Sequence, residues 1–218
     1  MNAMKENNSR WARSPEQCAA VFRIRTEQAE RIYRHNLDVY GGRGVILLHG
    51  QGTEPMASMK YGTYSMKWNG CEIIACANVM TFLGRGELLP QIVREFMLNG
   101  MQFVFPSGYW GTAPRELGRY FDSRGVRYRR YSRTDEIERD AVSAECGIVS
   151  FWNNKLSSAR LRGVDFFSGG LHTVAFRRTV RGYEVYNLHT YDTAPRRFEK
   201  LAEVYDDKRF IVGYLFNR

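Results

Sequence analysis

Hydrophobic and polar positions change period once along the chain, near residue 125, dividing it into a helical first part and a strand-rich second part. Ser14-Pro15-Glu16-Gln17 carries the marks of a helix start: a hydroxyl cap, a proline in the first turn and an acid soon after. Apolar residues at Ala19, Ala20, Phe22, Ile24, Ala29, Ile32 and Tyr33, with Arg and Glu between them, predict a long packing helix, or two, over 15–40. Gly41-Gly42-Arg43-Gly44 breaks it, and Val45-Ile46-Leu47-Leu48 reads as a short strand or the beginning of a helix. A loop rich in Gly, Pro and Met then runs from His49 through Lys67 and delivers the chain to Asn69-Gly70-Cys71. After it, helical spacing places Ile73, Ile74, Ala77, Val79, Met80 and Leu83 toward a core until Gly84-Arg85-Gly86. Residues 88–98 predict another helix, with Leu89, Ile92, Val93 and Phe96 on one side. Gly108-Tyr109-Trp110-Gly111 is a turn, and Thr112-Ala113-Pro114-Arg115-Glu116 starts a helix to about Asp122.

Beyond residue 125 the period is two. Val126–Tyr131 alternates, Gly147–Trp152 is a buried-strand run, and 173–178, 183–188 and 209–216 are strand-like. The segments 173–178 and 183–188 flank Thr179-Val180-Arg181-Gly182 and predict a hairpin. If Thr179 faces Gly182, the register sets His172 across from His189 and diagonal to Asn187, so that both candidates share its face. Helices first and an antiparallel sheet afterwards predict an α+β domain, with a loose polar segment over 1–13 and a single domain over 14–218.

A chain of 218 residues that is 44% hydrophobic and 14% aromatic is long enough to bury one full core, which excludes a disordered chain. No apolar run approaches the roughly 20 residues of a membrane-spanning helix, and the first ten residues lack the apolar stretch of a signal peptide, so a soluble, cytoplasmic protein is expected. The net charge of +9 comes from 32 Lys and Arg against 23 Asp and Glu. The arginines between Arg115 and Arg133 are interleaved with acids, which suits a solvated face better than a polyanion site, and no aromatic RNA motif accompanies them. A nucleic-acid partner is therefore not expected.

Four cysteines, Cys18, Cys71, Cys76 and Cys146, permit two disulfides on paper. Cys71 and Cys76 lie on one predicted helix, where five residues turn the chain by roughly 500°, so these two point in different directions and should not pair. Without a CxxC, and with His35, His49, His172 and His189 mostly scattered, neither a metal site nor a cofactor is expected.

Cys71 follows a glycine at a helix start, where the dipole and unpaired N–H groups favour an anion and should ease ionisation of the thiol. Downstream, Leu171-His172-Thr173-Val174 opens one strand and Tyr183-Glu184-Val185-Tyr186-Asn187 ends the next in a side-chain amide. A cysteine on a helix, then a histidine and an asparagine on adjacent strands, is the order of a thiol hydrolase in which the imidazole takes the thiol proton and a third group orients the ring. Asp192 is the rival orienter, and His189 shares the face. Cys18, Cys76 and Cys146 read as ordinary core thiols.

The segment Asn69-Gly70-Cys71 resembles the nucleophile motif of C39-like and related papain-like cysteine peptidases, and His172 with Asn187 is similar to their later histidine and Asn or Asp. The likeness spans about residues 60–190 and includes the Asn-Gly-Cys-Glu helix start, Tyr109-Trp110-Gly111-Thr112, Ser150-Phe151-Trp152-Asn153 and the His-Thr-Val strand of a group of uncharacterised bacterial proteins. The resemblance implies a papain-like cysteine proteinase fold, with N-terminal helices and the nucleophile helix packed on a C-terminal antiparallel sheet. It also implies a Cys71–His172–Asn187 triad that works through a thioester acyl-enzyme on a peptide or amide.

Two departures bear on this reading. Papain-like enzymes usually carry a glutamine a few residues before the cysteine as an oxyanion donor, and Tyr64-Ser65-Met66-Lys67-Trp68 has none. Asn69 is the candidate substitute, with Ser65 and the more distant Gln51 as weaker options, and loss of such a donor costs on the order of 2.7–4 kcal/mol in the transition state. Glu72 stands where the C39 pattern has glycine, and its carboxylate partly opposes thiolate formation. Tyr109, Trp110 and Trp152 are candidate walls of a substrate cleft. The alternatives are a weak or inactive papain-like scaffold acting as a binding protein, and an acyltransferase that resolves the thioester with an amine.

Overall fold

A capping box opens the first helix: Ser14 Oγ accepts from the Gln17 main-chain N–H at 3.2 Å, and Gln17 Oε1 accepts from the Ser14 N–H at 2.9 Å. The computed structural model describes residues 14–153, 170–206 and 208–217, and the segment 1–13 read as loose lies outside them. Helix α1 runs unbroken over Pro15–Tyr40, so one helix fills the stretch where one or two were expected. Its packing begins late: Phe22 and Ile24 are exposed, whereas Gln28, Ala29, Ile32, Asn36 and Tyr40 are buried. The run 45–48 forms neither strand nor helix, because Asn78 takes a strand partner's place, accepting from the Leu48 N–H and donating to the Leu48 carbonyl, both at 2.8 Å.

Within the expected loop 49–67 a small hairpin pairs β1 (Lys60–Tyr61) with β2 (Tyr64–Ser65), and one helical turn, α2 (Met66–Asn69), leads into α3 (Cys71–Phe82). Every residue of α3 except Thr81 is buried, as expected of a helix apolar on all sides. Helix α4 (Leu89–Leu98) packs against α1 and α3, and a 3₁₀ turn (Pro114–Glu116) leads into α5 (Leu117–Asp122).

The second half builds a six-stranded sheet from β3 (Tyr128–Tyr131), β4 (Cys146–Trp152), β5 (Leu171–Thr179), β6 (Gly182–Tyr186), β7 (Arg196–Phe198) and β8 (Arg209–Phe216). All pairings are antiparallel, in the order β3-β8-β4-β5-β6-β7. The architecture is α+β. Alternation along the strands makes two cores. Ile148, Ala175, Tyr186, Val212 and Tyr214 face the large helical layer of α1, α3, α4 and α5. Val149, Phe151, Val174, Phe176 and Val185 face α6 (Thr134–Ala141) and a 3₁₀ turn (Leu201–Val204) on the other side. No helix among the described residues is long and apolar enough to cross a membrane.

The β5–β6 hairpin follows the predicted register, from Thr179↔Gly182 to Ala175↔Tyr186, and stops there. Asn187 has a φ of 62°, the one non-glycine residue in the left-handed region among those described, and it turns the chain out of the strand. His172 is therefore not paired across the ladder with His189, as the extrapolated register required.

Candidate active site

The route into Cys71 depends on a close approach. The Gly70 N–H donates to the Met66 carbonyl at 2.9 Å, and a Cβ at Gly70 would lie 2.7 Å from that same oxygen. The Gly70 carbonyl accepts from the Ile74 N–H, so α3 begins immediately after α2 with Cys71 in its first turn. Cys71 is only 5% exposed, and its Sγ lies 3.3 Å from Glu72 Oε2. Burial pushes the thiol well above its ordinary value, the Glu72 charge and its hydrogen bond push it further, and the Thr173 main-chain N–H directed at the sulfur only partly opposes them. The easily ionised thiol expected from the helix dipole is thus not the resting state. Cys76 and Cys146 are buried, and Cys18, expected in the core, is exposed.

Glu72 was legible as a departure but not as the thiol's partner. Its side chain is 1% exposed, accepts from Thr173 Oγ1 at 3.2 Å, and receives the main-chain N–H of Thr112. Burial raises its carboxyl to about 7 against these donors. Gly111, at a φ of 69°, lets the Tyr109–Thr112 turn close over this pair, since a Cβ there would lie 2.9 Å from the Asn69 carbonyl and 3.0 Å from Glu72 Oε2.

Thr173 turns its hydroxyl toward α3, and its neighbour His172 belongs to the alternate set with Val174 and Phe176. The His172 ring meets Phe151, its cross-strand partner, edge to face at 5.9 Å, and Nε2 lies 2.6 Å from the Asn187 main-chain oxygen. A carbonyl only accepts, so Nε2 carries the proton of the neutral ring and Nδ1 the lone pair. Burial lowers this imidazole to about 4; the Asn187 carbonyl opposes the shift, and Lys208 and His189 add to it. His172, 8% exposed, forms part of a pocket of about 580 Å³ with His189, Asp192, Arg196 and Lys208.

Asn187 touches His172 through its main chain, while its side chain goes elsewhere. Asn187 Oδ1 accepts from the Gln51 N–H at 2.8 Å, and Nδ2 donates to Gln51 Oε1 at 3.1 Å. Gln51 Nε2 in turn donates to the Lys67 carbonyl in α2, at 2.7 Å. The upstream amide that seemed too distant in sequence is therefore built into the approach to Cys71. Asn69, preferred as oxyanion donor, is otherwise engaged: Nδ2 donates to the carbonyls of Tyr61 at 2.8 Å and Gly108 at 2.7 Å, which occupies both its hydrogens. Ser65 caps α2 by accepting from the Lys67 N–H. Asp192 is engaged by Arg196 at 2.7 Å and by the His189 main-chain N–H at 2.9 Å, whereas the His172 ring is bonded to the Asn187 main-chain oxygen.

Among the described residues no hydrogen bond joins Cys71 to His172, and the three predicted catalytic groups do not form one linear triad. They form a circuit instead. Cys71 meets Thr173, whose neighbour His172 meets Asn187, which pairs with Gln51, which holds the α2 turn that leads back to Cys71. Beside it, Tyr109, Trp110 and Trp152 are brought together with Tyr64, Trp68 and Leu171 around a pocket of about 420 Å³. An adjoining apolar pocket of about 390 Å³ shares Trp110, Trp152 and Leu171 and reaches Thr112, which donates to Glu72.

Among the described residues no group of three or more His, Cys, Asp and Glu side chains is placed to hold a metal ion. Among the arginines between Arg115 and Arg133, Arg124 is bonded to Glu87 and Glu95 and Arg133 to Asp135, while Arg119 and Arg129 lie 3.4 and 3.9 Å from Glu116 and Asp140. No protein-family model matches the chain, and no curated protein matches it in sequence.

Proposed function

We propose that the chain is a papain-like cysteine hydrolase of the C39-like kind, cleaving a peptide or other amide through Cys71. The observation that carries the reading is the circuit from the start of α3, in which a thiol is linked through the Thr173 main chain to the neighbouring imidazole, and from there to two side-chain amides, across four separate segments. In this reading the Cys71 sulfur attacks the acyl carbon, the amine departs with a proton, and water cleaves the resulting thioester. The cysteine's own N–H and Gln51 are the candidate oxyanion donors, Gln51 replacing Asn69. His172 supplies the imidazole, held by the Asn187 carbonyl, and the aromatic pocket takes the substrate's apolar side chains.

The test is the alkylation of each cysteine across pH, followed by peptide mass spectrometry on the intact chain. A nucleophile predicts that Cys71 reacts faster than the buried Cys76 and Cys146, and that its rate rises with pH below the range of an ordinary thiol. If it does not, the hydrolase reading falls. The un-ionised, buried thiol favours the second reading, a scaffold that binds ligands in the aromatic pocket without cleaving them, and that outcome would support it.

A further inference from the structure

We propose that Glu72 accepts the Cys71 proton, so that thiol and carboxylate act as a pair holding one proton and one negative charge. The inference rests on Cys71 being the nucleophile. It departs from the expectation that His172 takes this proton, and it stands on geometry. Glu72 Oε2 lies 3.3 Å from Sγ, whereas the His172 ring is engaged by Asn187 and Phe151 with no hydrogen bond to the thiol. A base must first be within reach of the proton it removes.

The surroundings suit a shared charge. The Thr173 N–H is directed at the sulfur, while Thr173 Oγ1 and the Thr112 N–H reach the carboxylate. The start of α3 favours a negative charge on either atom. Tyr61 from β1 and Cys76 one turn on along α3 also feel the Glu72 charge, and burial keeps both protonated. In the first step the S–H bond breaks and an O–H bond forms at Glu72 Oε2. The freed sulfur lone pair then bonds the acyl carbon, and when the C–N bond breaks the departing amine takes the proton from Glu72, which regenerates the carboxylate.

The experiment follows alkylation of Cys71 by iodoacetamide, a neutral reagent, across pH in the full chain, with Cys76 and Cys146 as internal references. The proposal expects Cys71 in the parent to become reactive through about pH 7, where the Glu72 carboxyl ionises. Glu72→Gln should then slow Cys71 near neutral pH by about a hundredfold, whereas in His172→Ala the rise, whatever its height, should still lie through about pH 7. Thr173→Val, which is close in shape and removes one donor to the carboxylate, should move the rise to higher pH, so the proposal can be judged even if Glu72→Gln does not fold. A Glu72→Gln variant as fast as the parent or faster overturns the proposal alone, since a carboxylate that only repels a thiolate would give that result. A His172→Ala variant in which the rise near pH 7 disappears likewise overturns it while keeping Cys71 as nucleophile, and a parent Cys71 no faster than Cys76 overturns both readings.

Discussion

Replacing Glu72 with glutamine should change how stability depends on pH, by an amount that follows from its burial. In the folded chain the carboxyl is raised from 4.5 to about 7. The native state therefore holds a proton that the unfolded chain releases between those values. The stability this group contributes is fully present below about pH 4.5 and is lost as pH rises through about 7. At about 1.4 kcal/mol per pH unit, the parent should lose roughly 3 kcal/mol relative to Glu72→Gln across that window. His172 works in the opposite sense: lowered from 6.5 to about 4, it contributes stability that is present above pH 6.5 and is lost as pH falls through about 4. The two effects are of similar size and nearly cancel in the parent, so Glu72→Gln should expose the His172 slope. Urea unfolding followed by tryptophan fluorescence at a series of pH values measures both proteins. A difference between them that stays flat, or in which the parent gains on the variant as pH rises, would refute the reasoning.

Other outcomes are expected of the same neighbourhood. His172→Gln should flatten the acid limb of stability below pH 6.5 and leave the Glu72 limb, which the same titration in urea reads. Asn69→Ala strips the partners from the buried carbonyls of Tyr61 and Gly108 and should cost about 2–5 kcal/mol, seen as a lower melting temperature; an unchanged melt with lost turnover would instead restore Asn69 as an oxyanion donor. Gly111→Ala sets a Cβ 2.9 Å from the Asn69 carbonyl at a φ of 69° and should destabilise the fold by roughly 2 kcal/mol in the same assay. Trp110→Ala should raise KM for an apolar peptide while leaving Cys71 alkylation unchanged, and a loss of alkylation would show that the ring supports the thiol instead.

Local signals carried the parts of the fold they could encode. The Ser14 cap and the apolar run after Gly70 specify α1 and α3, and the turn around Val180 and Arg181 sets the hairpin register. Helix α6 was not legible because only Ile137 and Ala141 on it are buried, too few apolar positions to set a helical period. Val45–Leu48 has the residues of a short strand or a helix start, yet the partner that satisfies Leu48 is the side chain of Asn78. Where β6 ends is decided by distant groups: Asn187 leaves the strand with its N–H on the His49 carbonyl and its amide on Gln51. For the same reason Gln51 ranked behind Asn69 by proximity in sequence, although only Gln51 reaches the Asn187 side chain. The raised Cys71 thiol is not legible in sequence, because a helix start is visible there and burial beside a carboxylate is not.

The strand β5 explains why the proton acceptor nearest the thiol comes from the thiol's own helix. Side chains alternate along a strand, so Thr173 and His172 cannot present themselves to the same face. With Thr173 turned toward α3, the thiol meets this strand's main-chain N–H, and the imidazole is directed to Phe151 and the Asn187 carbonyl. Two separate charges at a site this buried would each carry a desolvation penalty of several kcal/mol. A thiol and a carboxylate that share one proton avoid the second charge, whichever atom holds the proton. The helix start and the donors from Thr173 and Thr112 then stabilise a charge that already exists before any proton moves. A carboxylate directly after the cysteine, which in sequence looked like an obstacle to catalysis, thereby becomes the feature that lets a buried thiol give up its proton.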